Sequence, residues 1–434
     1  MLIQFTVSNY KTFAEETKIS LVASKDTTHR DTNVFDSNFK YDLLKTAVIY
    51  GANASGKTKF MEALGFMKRI VSESATYQSN RKISVTPFRL NTKKINEPSL
   101  FELIFIKENV MYRYGFEITI EKVVSEWLFM RQNNSKPKEI ELFYREEQEF
   151  DFHSTKFKIK DLIDNNRIKP NSLLLSVADS FNVEIAKTVF SWISKKIQVI
   201  SGLEMDNYLG YTVRELEQDT KKKNILNFLK DADLDIMDVL PKMSDINDLP
   251  KHLQEIIAHN KGEEEYKIFS DVITFRKQYN ENNEFNKLEE FSMDNDESSG
   301  TRKYFALTTP ILDVLENGLI LVVDELDASL HPNLTQKIIE LFHSKETNPK
   351  NAQLIFNTHN TNLLSPSSNL FRRDQIWFVK KDHYGTASLY SLADFKTDEV
   401  RKDDNYEKDY IAGQYGAIPY LGDFEILKNR ENGN

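Results

Sequence analysis

The chain's most specific chemistry lies in eight consecutive residues, Gly51-Ala-Asn-Ala-Ser-Gly-Lys-Thr58. Gly51 and Gly56 allow successive backbone N–H groups, with Asn53 and Ser55 between them, to converge on one point, and a helix starting there adds its positive end. Lys57 is placed to reach a β- or γ-phosphate, and the Thr58 hydroxyl is a ligand type suited to Mg²⁺. The alternative is an ordinary strand-to-helix turn, which the Lys-Thr pair and both flanks disfavour. A second group lies at the end of Leu319-Ile-Leu-Val-Val, where Asp324 can hold the metal through water and Glu325 can polarise an attacking water as general base. Together these residue types point to holding a polyphosphate with Mg²⁺ and activating a water against it.

Smaller pieces accompany them. Ser298, Ser299 and Gly300 precede an apolar-periodic run, so they offer hydroxyl and N–H donors at a helix start, or simply cap it. Asp327 stands in Leu326-Asp-Ala-Ser-Leu-His-Pro directly after the two acids. His359 follows the apolar Leu354–Phe356, where an imidazole can hydrogen-bond a γ-phosphate and report its loss.

The positioning elements are legible around these residues. Ala47–Tyr50 is a buried-strand run, and Phe60, Met61, Leu64, Met67, Ile70 and Val71 recur at helical spacing, which gives strand, loop, helix. Ile3, Phe5 and Val7, then Ile19, Leu21 and Ala23, alternate as strands. Residues 83–157 read as an antiparallel meander and 161–294 as a mainly helical insertion, with two short β-like pieces between 261 and 290. A helix from Ser299, a strand at 319–323, a helix after Pro332 and strands at 354–356 and 376–379 complete an α/β layer. Because Asp324 follows Thr58 by 266 positions (324 − 58), a large insertion splits the layer. The expected division is a discontinuous head, 1–75 with 295–434, a β-rich lobe at 76–160 and the helical insertion at 161–294.

Composition narrows the functional classes. Among 434 residues there is no cysteine, which excludes disulfides, thiolate metal sites and cysteine nucleophiles and fits a cytoplasmic chain. The formal net charge of −9 supplies no global field for nucleic acid. Local basic clusters remain at Lys195-Lys196, Lys221–Lys223 and Arg372-Arg373. No apolar run reaches the roughly 18–20 residues of a membrane span. The acids Asp394, Asp398, Glu399, Asp403 and Asp404 read as a solvated face, His252 and His259 as surface residues, and 428–434 as a frayed tail.

The order of these motifs resembles an ABC-type ATPase head of the SMC/RecF/OLD clan. The opening Ile3-Gln-Phe-Thr-Val-Ser-Asn-Tyr-Lys-Thr-Phe13, the loop at 51–58, Pro87-Phe-Arg-Leu90, Ser329-Leu-His-Pro332 and Tyr410-Ile-Ala-Gly-Gln-Tyr-Gly-Ala-Ile-Pro419 are similar to compact abortive-infection ATPases of the AbiLii/RloA kind. The resemblance implies an α/β head in which two copies sandwich two nucleotides, as a homodimer or higher homo-oligomer. Lys57, Thr58, Asp324, Glu325 and His359 would act in cis, Ser298, Ser299 and Gly300 on the partner's nucleotide, and Asp327 would line the interface. No length for a second catalytic segment remains beyond about residue 395, so a nuclease or toxin effector would be a separate polypeptide. The expected function is an ATP-hydrolysing sensor in bacterial antiphage defence; the alternative is a DNA-binding repair clamp, with nucleic acid possible but not required.

Overall fold

A computed structural model describes residues 1–133, 138–201, 206–245, 267–396, 400 and 404–419. His252, His259, Asp398, Glu399, Asp403 and the tail at 428–434 lie outside the described residues. Five parallel strands form the spine, in the order Ile197–Ser201, Ile320–Asp324, Gln353–Asn357, Thr46–Gly51 and Ile376–Lys381. Ala387–Ser391 closes this sheet antiparallel to the last of them. Every residue of Thr46–Gly51, Ile320–Asp324 and Gln353–Asn357 is buried, as expected for parallel strands covered on both faces.

Alternation along these strands decides which core each side chain joins. Ala47, Ile49, Ile320, Val322 and Ile355 pack with Phe60, Leu64 and Met67 of the helix Lys57–Glu73. Val48, Tyr50, Leu321, Val323, Leu354 and Phe356 enter the opposite core with the helices Ser299–Asn317 and Pro332–His343. Pro310 sits inside Ser299–Asn317. Proline has no N–H to donate four residues back, and the Ala306 carbonyl accepts instead from the buried Thr212 hydroxyl at 3.2 Å, which joins the helix Asp206–Glu215 to this one.

A seven-stranded antiparallel sheet covers the first core, ordered Glu149–Phe152, Glu139–Glu146, Val123–Gln132, Val110–Ile118, Ser99–Lys107, Leu2–Ser8 and Thr17–Ser20. Phe5, Phe101 and Phe116 pack from it into the same cluster as Phe60. The fully buried Glu126 fastens this sheet to the helix Leu174–Ser180, accepting from the Leu174 and Leu175 N–H groups at 2.6 and 2.9 Å and from the Tyr114 hydroxyl at 2.9 Å. These first-turn N–H groups have no partner within their own helix, so the carboxylate is their cap.

The opening strands, expected at both places, are Leu2–Ser8 and Thr17–Ser20; they pair into the antiparallel sheet, a neighbour that alternation does not name because it fixes only a strand's faces. Within 161–294 the described residues hold the expected helices together with strands, and the two β-like pieces expected between 261 and 290 are Lys267–Tyr279 and Phe285–Ser292. Ile197–Ser201 is the edge strand of the parallel sheet, and Asp238–Asp245, Lys267–Tyr279 and Phe285–Ser292 form a separate three-stranded sheet. In Lys267–Tyr279 the fully buried Val272 and Thr274 are two apart, as strand alternation requires, and the charged residues around them hide a long strand. Among the described residues no helix is long and apolar enough to cross a membrane.

Candidate functional site

The parallel register brings the carboxyl ends of three strands together, since Val323 lies opposite Phe356 and Phe356 opposite Val48. The phosphate loop, Asp324 and Asn357 therefore share one edge, the edge where open α/β sheets bind ligands. Gly56 adopts φ +121° as it turns the chain into the helix Lys57–Glu73. The N-cap of that helix, Gly56, has no side chain to cap it, so among the described residues its first-turn N–H groups are left for an anion, as such a site requires. Ser55 is buried and Asn53 exposed, and Thr58 is half-buried on the first turn.

Lys57 is buried and lies across the loop, donating to the Gly51 carbonyl at 2.7 Å and the Ala52 carbonyl at 3.1 Å. Burial pushes its ammonium down to about 8, opposed by Glu325, Asp324 and Asp327. His359, an exposed residue just past Gln353–Asn357, is held below the usual imidazole range by partial desolvation and by Lys57, against the pull of the same three carboxylates. Lys57, Asp324, Glu325, Asp327 and His359 thus form one electrostatic group. An Asp327 carboxylate oxygen also accepts from the His359 backbone N–H at 3.3 Å.

Three contributors carry no motif. Asn357 is fully buried; its amide N–H₂ donates to Asp324 while its amide oxygen accepts from the Glu325 backbone N–H at 2.6 Å. One side chain therefore sets the Asp324 rotamer and the start of the next turn. Lys303, buried on Ser299–Asn317, donates to the Glu325 carbonyl at 2.9 Å, and burial lowers it to about 8. Arg276 binds Glu297 through two nitrogens, at 3.1 and 2.8 Å, and ties the three-stranded sheet to the residue just before Ser298. The only sequence signal for Asn357 is a polar residue ending an apolar strand beside one that ends in Asp; Lys303 and Arg276 give none. Replacing Asn357 with Leu is expected to leave a buried carboxylate and an N–H unpaired, lowering stability by about 1–3 kcal/mol in urea unfolding. Unfolding at the wild-type midpoint would contradict this role.

Ser298 and Ser299 are exposed, and none of the hydrogen bonds among the described residues joins Ser298, Ser299 or Gly300 to Gly51–Thr58. The Ser298 hydroxyl caps its own helix by accepting from the Thr301 N–H at 3.1 Å. Among the described residues no cluster of three or more His, Asp or Glu could hold a metal unaided. The donors present, the Thr58 hydroxyl and the Asp324 carboxylate, fit a hard cation that takes its other ligands from phosphate and water.

No curated protein matches the sequence. In fold the chain is similar to the SMC head domain from Thermotoga maritima, at 12% identity and TM-score 0.37, covering 90% of this chain and 98% of that one. It is also similar to the recombination mediator protein RecF in its ATP form, at 12% identity and TM-score 0.30, covering 90% and 97%. Residues 47–365, which run from the phosphate-loop strand past His359, match the family described as AAA domain, putative AbiEii toxin, Type IV TA system, and the chain belongs to that family.

Proposed function

We propose that the chain binds ATP with Mg²⁺ and hydrolyses it, and that two copies enclose the nucleotides between them. The observation that carries this reading is the convergence of Lys57, Asp324, Glu325 and His359 at one sheet edge beside an uncapped helix start. Thr58 and, through water, Asp324 would hold Mg²⁺, which when bound would supply charge neutralisation for the phosphates. Lys57 and the loop N–H groups orient the γ-phosphate, Glu325 takes the proton of the attacking water, and His359 senses the terminal phosphate. Ser298 and Ser299, both exposed, and the half-buried Gly300, none of them hydrogen-bonded to their own loop among the described residues, are presented to the nucleotide of a second copy, with Asp327 at the interface.

The biological role we infer is that of a regulator in antiphage defence, acting on a separate nuclease or toxin. Phage challenge of a host carrying the chain and its neighbouring gene tests this. Protection that requires both the neighbour and Glu325 supports it; protection by the chain alone overturns it. The repair-clamp alternative loses ground on charge. Arg372 is fully buried against Asp374, Lys196 donates to the Asn317 carbonyl, and Lys221 and Lys222 pair with Glu215 and Asp238. The local basic clusters on which that alternative depends are therefore largely engaged within the fold.

A further inference from the structure

The turn from Glu325 to Ser329 is held in an unusual conformation. Glu325 and Ser329 have φ of +57° and +59°, a left-handed region that strains L residues. Such a turn persists only if its surroundings over-determine it. Asn357 fixes it from the amide side, accepting from the Glu325 N–H. From the carbonyl side, the Glu325 oxygen accepts from Ala328 N–H at 3.2 Å and from the Lys303 ammonium at 2.9 Å. The second of these comes from another element, the helix that begins with Ser299.

That helix touches the turn a second time. A Cβ added at Gly300 would stand 2.7 Å from the Ser329 carbonyl oxygen and 3.6 Å from the Ser298 hydroxyl. Backbone meets backbone there, and neither side can rotate away. The residues that face the partner's nucleotide and the residue that activates water on the chain's own nucleotide are thus clamped to each other at both ends of one turn. Lys303 has no role in either motif, yet it is the side chain that closes the clamp.

We propose that Lys303 is a positioning residue that couples the two nucleotide sites. Engagement of Ser298–Gly300 by the partner's nucleotide moves the helix start, and the Lys303–Glu325 bond carries that movement to the general base of the same chain. Each site then reaches its hydrolytic geometry when the other is filled. This inference rests on the sandwich reading above and adds the route of communication within it.

The test is the steady-state ATPase rate against ATP concentration for wild type, Lys303→Met, Lys303→Arg and Gly300→Ala, with nucleotide affinity measured in parallel. Wild type is expected to give a Hill coefficient above 1. Lys303→Met is expected to bind ATP within about twofold of wild type, while kcat falls about tenfold and the Hill coefficient drops to about 1. Lys303→Arg, which keeps a charged donor, is expected to recover most of both. Unchanged kcat and Hill coefficient in Lys303→Met overturn the proposal, as does a fall in kcat with cooperativity intact. Should Lys303→Met fail to fold, Gly300→Ala reads the same junction, and wild-type cooperativity there overturns the coupling. A wild-type chain that binds no ATP overturns the underlying nucleotide reading instead.

Discussion

Glu325→Gln is expected to retain ATP binding and to lose hydrolysis by about 10²–10⁴-fold, the range a general base contributes. The substitution is nearly isosteric. The Glu325 backbone N–H to Asn357 and its carbonyl to Lys303 do not depend on the side chain, so the turn and the neighbouring Asp324 stay in place. What disappears is the carboxylate proposed to accept the water proton, together with one negative charge acting on Lys57 and His359. Nucleotide affinity should therefore hold or rise, and the ATP-bound assembly should accumulate. Single-turnover hydrolysis beside light scattering in ATP reads both quantities. Wild-type turnover in this variant would remove Glu325 from the mechanism.

Lys57→Ala is expected to weaken ATP binding by about 100-fold, from the loss of a charge-assisted bond worth about 1.5–3 kcal/mol together with phosphate neutralisation. The fold should survive, because burial already disfavours the ammonium, as its lowered value of about 8 shows. Without Lys57, Asp324, Glu325 and Asp327 face one another with less positive charge between them, which further opposes a polyphosphate. Titration calorimetry with a slowly hydrolysed ATP analogue measures the change. Affinity within threefold of wild type would mean that the loop does not hold the phosphates through this residue.

Local pattern made the centre of the molecule legible. Ala47–Tyr50, Leu319–Val323 and Leu354–Phe356 are continuous apolar runs because each strand is buried on both faces, and the phosphate loop and the two acids sit directly at their ends. Elements whose identity depends on distant partners were harder to place. Ile197–Ser201 follows a helix without a break and becomes a strand through pairing with Ile320–Asp324. Leu2–Ser8 alternates visibly, but nothing local says that its neighbour is Ser99–Lys107. The same reasoning covers the site. Lys57, Asp324 and Glu325 carry motifs because the ligand dictates their spacing, whereas Asn357 and Lys303 matter through contacts 32 or 33 and 22 positions away. No spacing rule records such contacts.

In the proposed sandwich each working site takes its phosphate loop from one chain and Ser298–Gly300 from another. Mixing two inactive variants tests it most directly. Lys57→Ala keeps its serines but not its loop, and Ser299→Arg keeps its loop but blocks the helix start. Each alone should hydrolyse little ATP. At equal amounts, random pairing makes about half the dimers mixed, each with one intact composite site, so activity above that of either variant alone should return. Its ceiling is about a quarter of wild type, which the coupling through Lys303 lowers by about tenfold because the second site stays empty. Full activity of Ser299→Arg alone, or no recovery on mixing, would contradict the sandwich.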